Sequence, residues 1–197
     1  MFITLEGVDG SGKTTQAAML ADALGASAMT LREPGGTDAA ERIRQLLADP
    51  ETPLDPIAEL MLFCAARADL VSRVIRPALE IGRTVICDRF TDSTIAYQGV
   101  ARGLGIVRVR ELSEVATDGL VPDLTLWLKV DPAFGLDRAG SDDRFEAEGV
   151  RFQERVAEAY EDIARREPNR VVPIDATGSP EQVHRLILAE VEARLPA

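Results

Sequence analysis

Histidine occurs once in this chain of 197 residues, at position 184, so a histidine-based triad and a zinc site with several histidines are both excluded. His184 falls in a C-terminal segment with amphipathic helical spacing, and a solvated surface position is expected for it. The two cysteines, Cys64 and Cys87, lie inside apolar runs without a partner spacing. That fits buried thiols in a reducing, cytoplasmic compartment better than a disulfide or a metal site. No run of 18 or more apolar residues exists and no charged segment precedes a signal-like stretch, so neither membrane spanning nor export is expected. Positive charge is scarce: 22 Lys and Arg face 33 Asp and Glu, a net charge of -11. Such a field repels nucleic acid, anionic lipid and anionic substrates alike, so any phosphate must be captured locally.

What is present reads as one globular domain, with 46% hydrophobic and 28% charged residues and a length that can bury a sizeable core. Strand-like apolar runs occur at Phe2 to Leu5, Ala28 to Leu31, Thr84 to Cys87, Leu124 to Val130 and Val171 to Ile174, with helix-like segments between them. This alternation predicts an α/β fold, a parallel sheet with helices on both faces and a binding crevice at the strands' carboxyl ends. Asp55-Pro56, Asp131-Pro132 and Ser179-Pro180 each set a capping side chain before a proline at the first helical position, and Ser179 with Gln182 makes a capping box. Pro56 to about Leu79 reads as one long, largely buried helix, part of which could face a second subunit. Between Arg138 and Arg151 the apolar periodicity stops in AGSDDRFEAEG, which reads as a mobile loop between two helices.

The strongest local signal is GVDGSGKT, which matches GxxxxGK[ST] through Gly7, Gly12, Lys13 and Thr14, directly after a predicted strand and before a predicted helix. Glycines at Gly7, Gly10 and Gly12 let backbone N–H groups wrap a phosphate, Lys13 adds charge and the Thr14 hydroxyl can ligate magnesium (Mg2+). The chain has only two lysines, Lys13 and Lys129, so a lysine at the one position where the loop requires it points to phosphate binding rather than chance. Asp88 closes the strand TVIC, where a carboxylate would reach the magnesium directly or through water, and Arg89 follows it. Guanine-specific GTPases need Asn-Lys-x-Asp, yet the only asparagine, Asn169, precedes Arg170. With room only for a core, a lid and one small acceptor site, a small-molecule kinase is the natural remainder.

Beyond the P-loop, REPGGT from Arg32, ERIRQLL from Glu41, LMLFCAARADL from Leu60, DRFTDSTIAYQG from Asp88 and PDLTLWL from Pro122 follow in order. With EGVDGSGKTT from Glu6 they resemble the bacterial thymidylate kinases of the nucleoside monophosphate kinase group over nearly the whole chain. The resemblance implies a P-loop NTPase three-layer sandwich with a five-stranded parallel sheet and a short lid at about 138–151. It implies a homodimer that transfers the γ-phosphoryl group of ATP to dTMP.

By the same resemblance, Gly7, Asp9, Gly10, Ser11, Gly12, Lys13, Thr14, Thr15 and Arg138 serve ATP. Phe63 and Arg67, four apart on one helix face, would stack on thymine and donate to its carbonyl oxygen. Asp9 would contact the 3′-hydroxyl, Glu33 and Pro34 would shape the pocket, and Arg44 and Arg89 would hold the acceptor phosphate. Ser93, Thr94, Tyr97 and Gln98 fall near sugar and base, with Tyr97 crowding the 2′ position and Gln98 on the thymine edge.

A phosphate monoester with a second pKa near ~6 is already largely dianionic at neutral pH, so this acceptor needs no general base. Lys13, Asp88, Arg89 and a lid arginine are then the catalytic set. Asp9, Gly10 and Ser11 supply no arginine, so the lid must; Arg144 is the first choice, with Arg138 and Arg151 for the adenine side or a second phosphate contact. Two alternatives stay open: a kinase for another nucleotide or deoxynucleoside, and a P-loop nucleotide switch without turnover.

Overall fold

In the computed structural model, residues 1–139 and 148–194 are described. Five strands, β1 (Phe2–Glu6), β2 (Ala28–Arg32), β3 (Thr84–Asp88), β4 (Leu124–Lys129) and β5 (Val171–Asp175), coincide with the five apolar runs of the sequence. They form one sheet in the order β2-β3-β1-β4-β5, every pair parallel. The chain winds to one side of β1 and then crosses to the other, so the carboxyl end of β1 lies at the crevice where such sheets bind ligands. All five β1 residues are buried, as a central strand covered on both faces requires.

The long predicted helix is α3 (Pro56–Leu70), which runs through a widened π turn at Val71–Ile75 into α4 (Arg76–Glu80). Pro77 explains the interruption: it lacks an N–H and its ring collides with the carbonyl one turn back, and a wider turn relieves both. Asp55 caps α3 by accepting from the Ile57 N–H, and Asp131 accepts from the first amides of α7 (Pro132–Ala139). The capping box of α9 (Pro180–Glu192) forms as the sequence predicts. The remaining helices are α1 (Lys13–Leu24), α2 (Asp38–Ala48), α5 (Thr91–Thr94) continuing as a π segment Ile95–Ala101, α6 (Ile106–Thr117) and α8 (Val150–Arg166).

The main core gathers Ile3 and Leu5 of β1, Leu126 and Leu128 of β4, and Val156 and Tyr160 of α8, with Trp127 stacked on Tyr160 at 6.2 Å. A smaller cluster forms where the π turn of the long helix meets β3, with Phe2 and Phe90 edge to face at 4.9 Å. Cys64 and Cys87 are free and buried. His184 is half-buried rather than solvated, because it neighbours Val183 on the packed face of α9, and its Nδ1 has no partner among the described residues. Among the described residues no helix is long and apolar enough to cross a membrane.

Candidate active site

The loop after β1 has the backbone that the glycines predict. Gly7 lies at φ 145°, and a Cβ there would come within 2.7 Å of the Leu128 carbonyl oxygen. Gly12 adopts φ 93° immediately before α1, whose first turn holds no acidic residue and no side-chain cap. The helix therefore presents uncapped amides and the positive end of its dipole to the cleft. Lys13 Nζ donates to the carbonyls of Gly7 (3.2 Å) and Val8 (2.8 Å) and to Ser11 Oγ (3.2 Å), folding over the loop. Burial, reinforced by the Arg89 charge, lowers its pKa to about 8. Thr14 Oγ1 donates to Asp88 Oδ2 at 2.5 Å, so the hydroxyl and the carboxylate picked from the sequence do meet. Thr15, one residue on, is exposed.

Arg89 holds a left-handed backbone at φ 71°, a conformation that costs a non-glycine residue about 1 kcal/mol or more and persists only when its surroundings fix it. Its guanidinium donates to the Gly7 carbonyl (3.1 Å) and Ser93 Oγ (3.2 Å), pairs with Asp9 and lies 4.9 Å from the centre of the Tyr97 ring. Asp9 also accepts from Tyr97 Oη (3.1 Å) and Gln153 Nε2 (2.6 Å). Burial opposes its ionisation, but Arg89 and Lys13 outweigh it and hold the carboxyl below its ordinary value. The Asp9 side chain is thus engaged by Arg89, Tyr97 and Gln153.

These groups open into a cleft of about 340 Å³, within the usual range for a small-molecule site. Gly10, Lys13, Thr14 and Asp88 line it together with Phe63, Pro34, Arg44 and Thr94. Arg67, 2% exposed, donates through Nε to Glu33 Oε2 (2.7 Å) and through Nη2 to the Phe90 carbonyl (3.1 Å) and Thr94 Oγ1 (2.9 Å). Burial lowers the pKa of this guanidinium, yet Glu33 more than compensates and it rises. Its Nη1 and the Glu33 Oε1 have no partner among the described residues. Gln98 donates from Nε2 to Glu59 Oε1 (2.8 Å), and Arg44 donates to the Pro34 carbonyl at 3.1 Å.

Every residue that the resemblance assigns to dTMP lines this one cleft. Arg32, Leu47 and Ala48 also line it and were not picked out. Arg138, near the end of α7, is exposed and sits 5.5 Å over Phe134, and Arg151 on α8 is exposed; neither lines the cleft. Arg144 lies outside the described residues.

Sequence reasoning missed the polar groups that support the cleft from behind. Glu6, 0% exposed, accepts from the N–H groups of Phe90 (2.8 Å) and Ser93 (3.3 Å), from Ser93 Oγ (2.5 Å) and from Tyr160 Oη (2.7 Å). Burial and the nearby Asp92 raise its pKa from 4.5 to about 7, while those donors and Arg89 pull the other way. Its signal was a lone acid ending an otherwise apolar strand. Gln153 and Tyr160, one on each side of two helical turns of α8, carried no local signal at all.

The thymidylate kinase family model matches residues 5–187. The chain is 50% identical to a thymidylate kinase of Synechococcus sp. (strain JA-2-3B'a(2-13)), covering 100% of this chain and 96% of that protein. It is 46% identical to a thymidylate kinase of Deinococcus radiodurans, covering 98% and 97%. Among solved structures, a thymidylate kinase from Ehrlichia chaffeensis superposes with a TM-score of 0.80 at 37% identity, covering 97% of this chain and 98% of that one. With the family's model spanning nearly its whole length, the chain belongs to the thymidylate kinase family.

Proposed function

We propose the following division of labour for the family's reaction, in which ATP phosphorylates dTMP to dTDP. The observation that carries it is the buried Arg67, whose Nη1 has no partner among the described residues, in the same cleft as the phosphate loop. A donor left unpaired in a buried site costs about 1 to 3 kcal/mol, a cost that a ligand carbonyl removes. Arg67 then reads a base carbonyl while Phe63 stacks on the ring. Gln98 meets the base edge, Tyr97 and Asp9 meet the sugar, and Ser93, Thr94, Glu33 and Pro34 complete the wall. Arg44 and Arg89 receive the acceptor phosphate.

On the donor side the main-chain amides of Gly7 through Thr15 cradle the ATP phosphates, with Gly10, Ser11 and Gly12 at the turn. Lys13 turns from the loop carbonyls to the phosphates, and Arg138 serves the adenine side. The paired oxygens of Thr14 and Asp88 suit a hard cation held partly through water, and Mg2+ bound there would offset charge on the phosphates. The acceptor is a dianion, and no side chain needs to take its proton. Lys13, Arg89 and the lid arginine Arg144 stabilise charge on the transferring group, and Asp88 fixes Thr14. The whole chain acts as one kinase domain.

The chain is further proposed to work as a homodimer in the cytoplasm. Leu46 on α2, Met61 on α3 and Val115 on α6 expose 39%, 49% and 80% of their surface, and α3 packs beside both other helices. Free buried thiols suit a reducing compartment.

The test is ADP release from ATP and magnesium with dTMP, dUMP, UMP, dGMP, thymidine or no acceptor. Fast turnover with dTMP is expected. Equally slow turnover with all acceptors and with none would favour a nucleotide switch and end this reading.

A further inference from the structure

Three side chains of the cleft keep a polar atom without a partner among the described residues: Gln98, Arg67 and Glu33. Gln98, 1% exposed, spends its amide N–H on Glu59 at 2.8 Å, and its amide oxygen makes no hydrogen bond to a described residue. Arg67 Nη1 and Glu33 Oε1 have no partner among the described residues in the same cleft. The Gln98 oxygen and Arg67 Nη1 therefore offer the cleft an acceptor and a donor.

Which end of the Gln98 amide faces the cleft is decided behind it. Glu59, 1% exposed on α3, meets the Arg102 guanidinium through both carboxylate oxygens, with Nε and Nη2 each at 3.3 Å. Arg102 is held in turn by Glu148 and by Phe152, whose ring centre is 5.1 Å from the guanidinium carbon. A carboxylate in an ion pair only accepts hydrogen bonds, so the Gln98 NH2 must face it and the carbonyl oxygen must face away. Turning the amide over would set a carbonyl oxygen against a carboxylate oxygen in a buried site.

We propose that Glu59, held by Arg102, fixes the Gln98 amide and so makes the cleft select a base edge with a ring N–H beside a carbonyl over the cytosine edge. Thymine and uracil present N3–H and O4, matching an acceptor beside a donor; cytosine presents a bare N3 and an amino group, the reverse. Glu59 does not touch the base and is a positioning residue for specificity. The inference rests on reading the cleft as the dTMP site.

The experiment compares kcat/KM for dTMP, dUMP and dCMP in wild type and Glu59→Gln. A glutamine at 59 can donate or accept, so Gln98 can present either end. The ratio of dTMP to dCMP is expected to fall by ~30-fold or more, since a hydrogen-bond mismatch in a buried site discriminates strongly only while the site is fixed. The ratio of dTMP to dUMP should stay constant, because those bases share an edge. If Glu59→Gln does not fold, the double variant Glu59→Gln with Arg102→Gln, which removes both charges of the buried pair, is read in the same way. A folded variant with an unchanged dTMP to dCMP ratio overturns the proposal, as does an equal loss on all three acceptors, which marks a merely structural role. A wild-type enzyme without dTMP turnover overturns instead the reading on which the proposal rests.

Discussion

Glu6 is the sharpest point at which the structure commits to a number. Its carboxyl is fully buried and carries a pKa of about 7 in place of 4.5, first because burial penalises the charge and then because Asp92 lies near. A raised folded-state value means that the folded protein prefers the protonated acid. The stability this group confers is complete below its unfolded pKa of 4.5 and is lost as pH rises through about 7. Relative to a residue that does not titrate, a shift from 4.5 to about 7 removes about 2 kcal/mol between pH 5.5 and pH 8. Glu6→Gln supplies that reference with the same shape, and Ser93 and Tyr160 can still bond each other across 2.9 Å. Urea unfolding of both proteins at the two pH values isolates the effect, because every other titrating group cancels in the difference. The variant should gain about 2 kcal/mol on wild type at the higher pH, or about 4 to 8 °C in melting temperature for a chain of this length. Parallel curves for the two proteins, within about 0.5 kcal/mol, would refute the argument that burial dominates at Glu6.

Three further outcomes are expected. Phe63→Ala should weaken dTMP binding by roughly 1 to 3 kcal/mol through lost stacking, read as a raised KM with normal folding; an unchanged KM would remove Phe63 from the base contact. Arg144→Ala should lower kcat by ~10³ or more while leaving the dTMP KM within a few-fold, as for a group that acts on the transition state. A wild-type kcat would pass the role to another arginine. Ser179→Ala removes the side chain that accepts from the Gln182 N–H and should cost about 1 kcal/mol in a thermal melt; no change would mean that α9 starts independently of its cap.

The fold was legible because its signals are local. Each strand is a short apolar run bounded by polar residues, and each predicted cap is a side chain within three residues of the amide it serves. The phosphate loop was legible for the same reason, since Gly7, Gly12, Lys13 and Thr14 act through their own backbone neighbourhood. What the sequence concealed depends on contacts across the sheet. Glu6 meets Tyr160 at a separation of 154 residues, and Asp9 meets Gln153 at 144. No spacing rule joins positions so far apart, and α8 has an ordinary amphipathic pattern in which Gln153 and Tyr160 pass as packed face. Pro77 was visible, but the helix continues past it because a π turn absorbs what an α-helical turn could not.

Charge shows how the two levels fit. A protein of net charge -11 must gather cations where it binds polyphosphate, yet cations gathered without ligand repel each other. In this cleft each one is occupied by an acceptor of the protein itself: Lys13 by loop carbonyls, Arg89 by Asp9, Arg67 by Glu33 and Arg44 by the Pro34 carbonyl. These contacts hold the cations in place before a nucleotide arrives, so little reorganisation is needed when it does. The partners differ in how readily they yield. Carbonyls are neutral, so the contacts of Lys13 give way at smaller electrostatic cost than an ion pair does. Asp9 and Glu33 carry charge in buried positions, and Arg89 and Arg67 must keep those pairings while using their remaining donors. That difference assigns movement to Lys13 and rigidity to the two paired arginines, Arg89 beside the phosphate loop and Arg67 on α3.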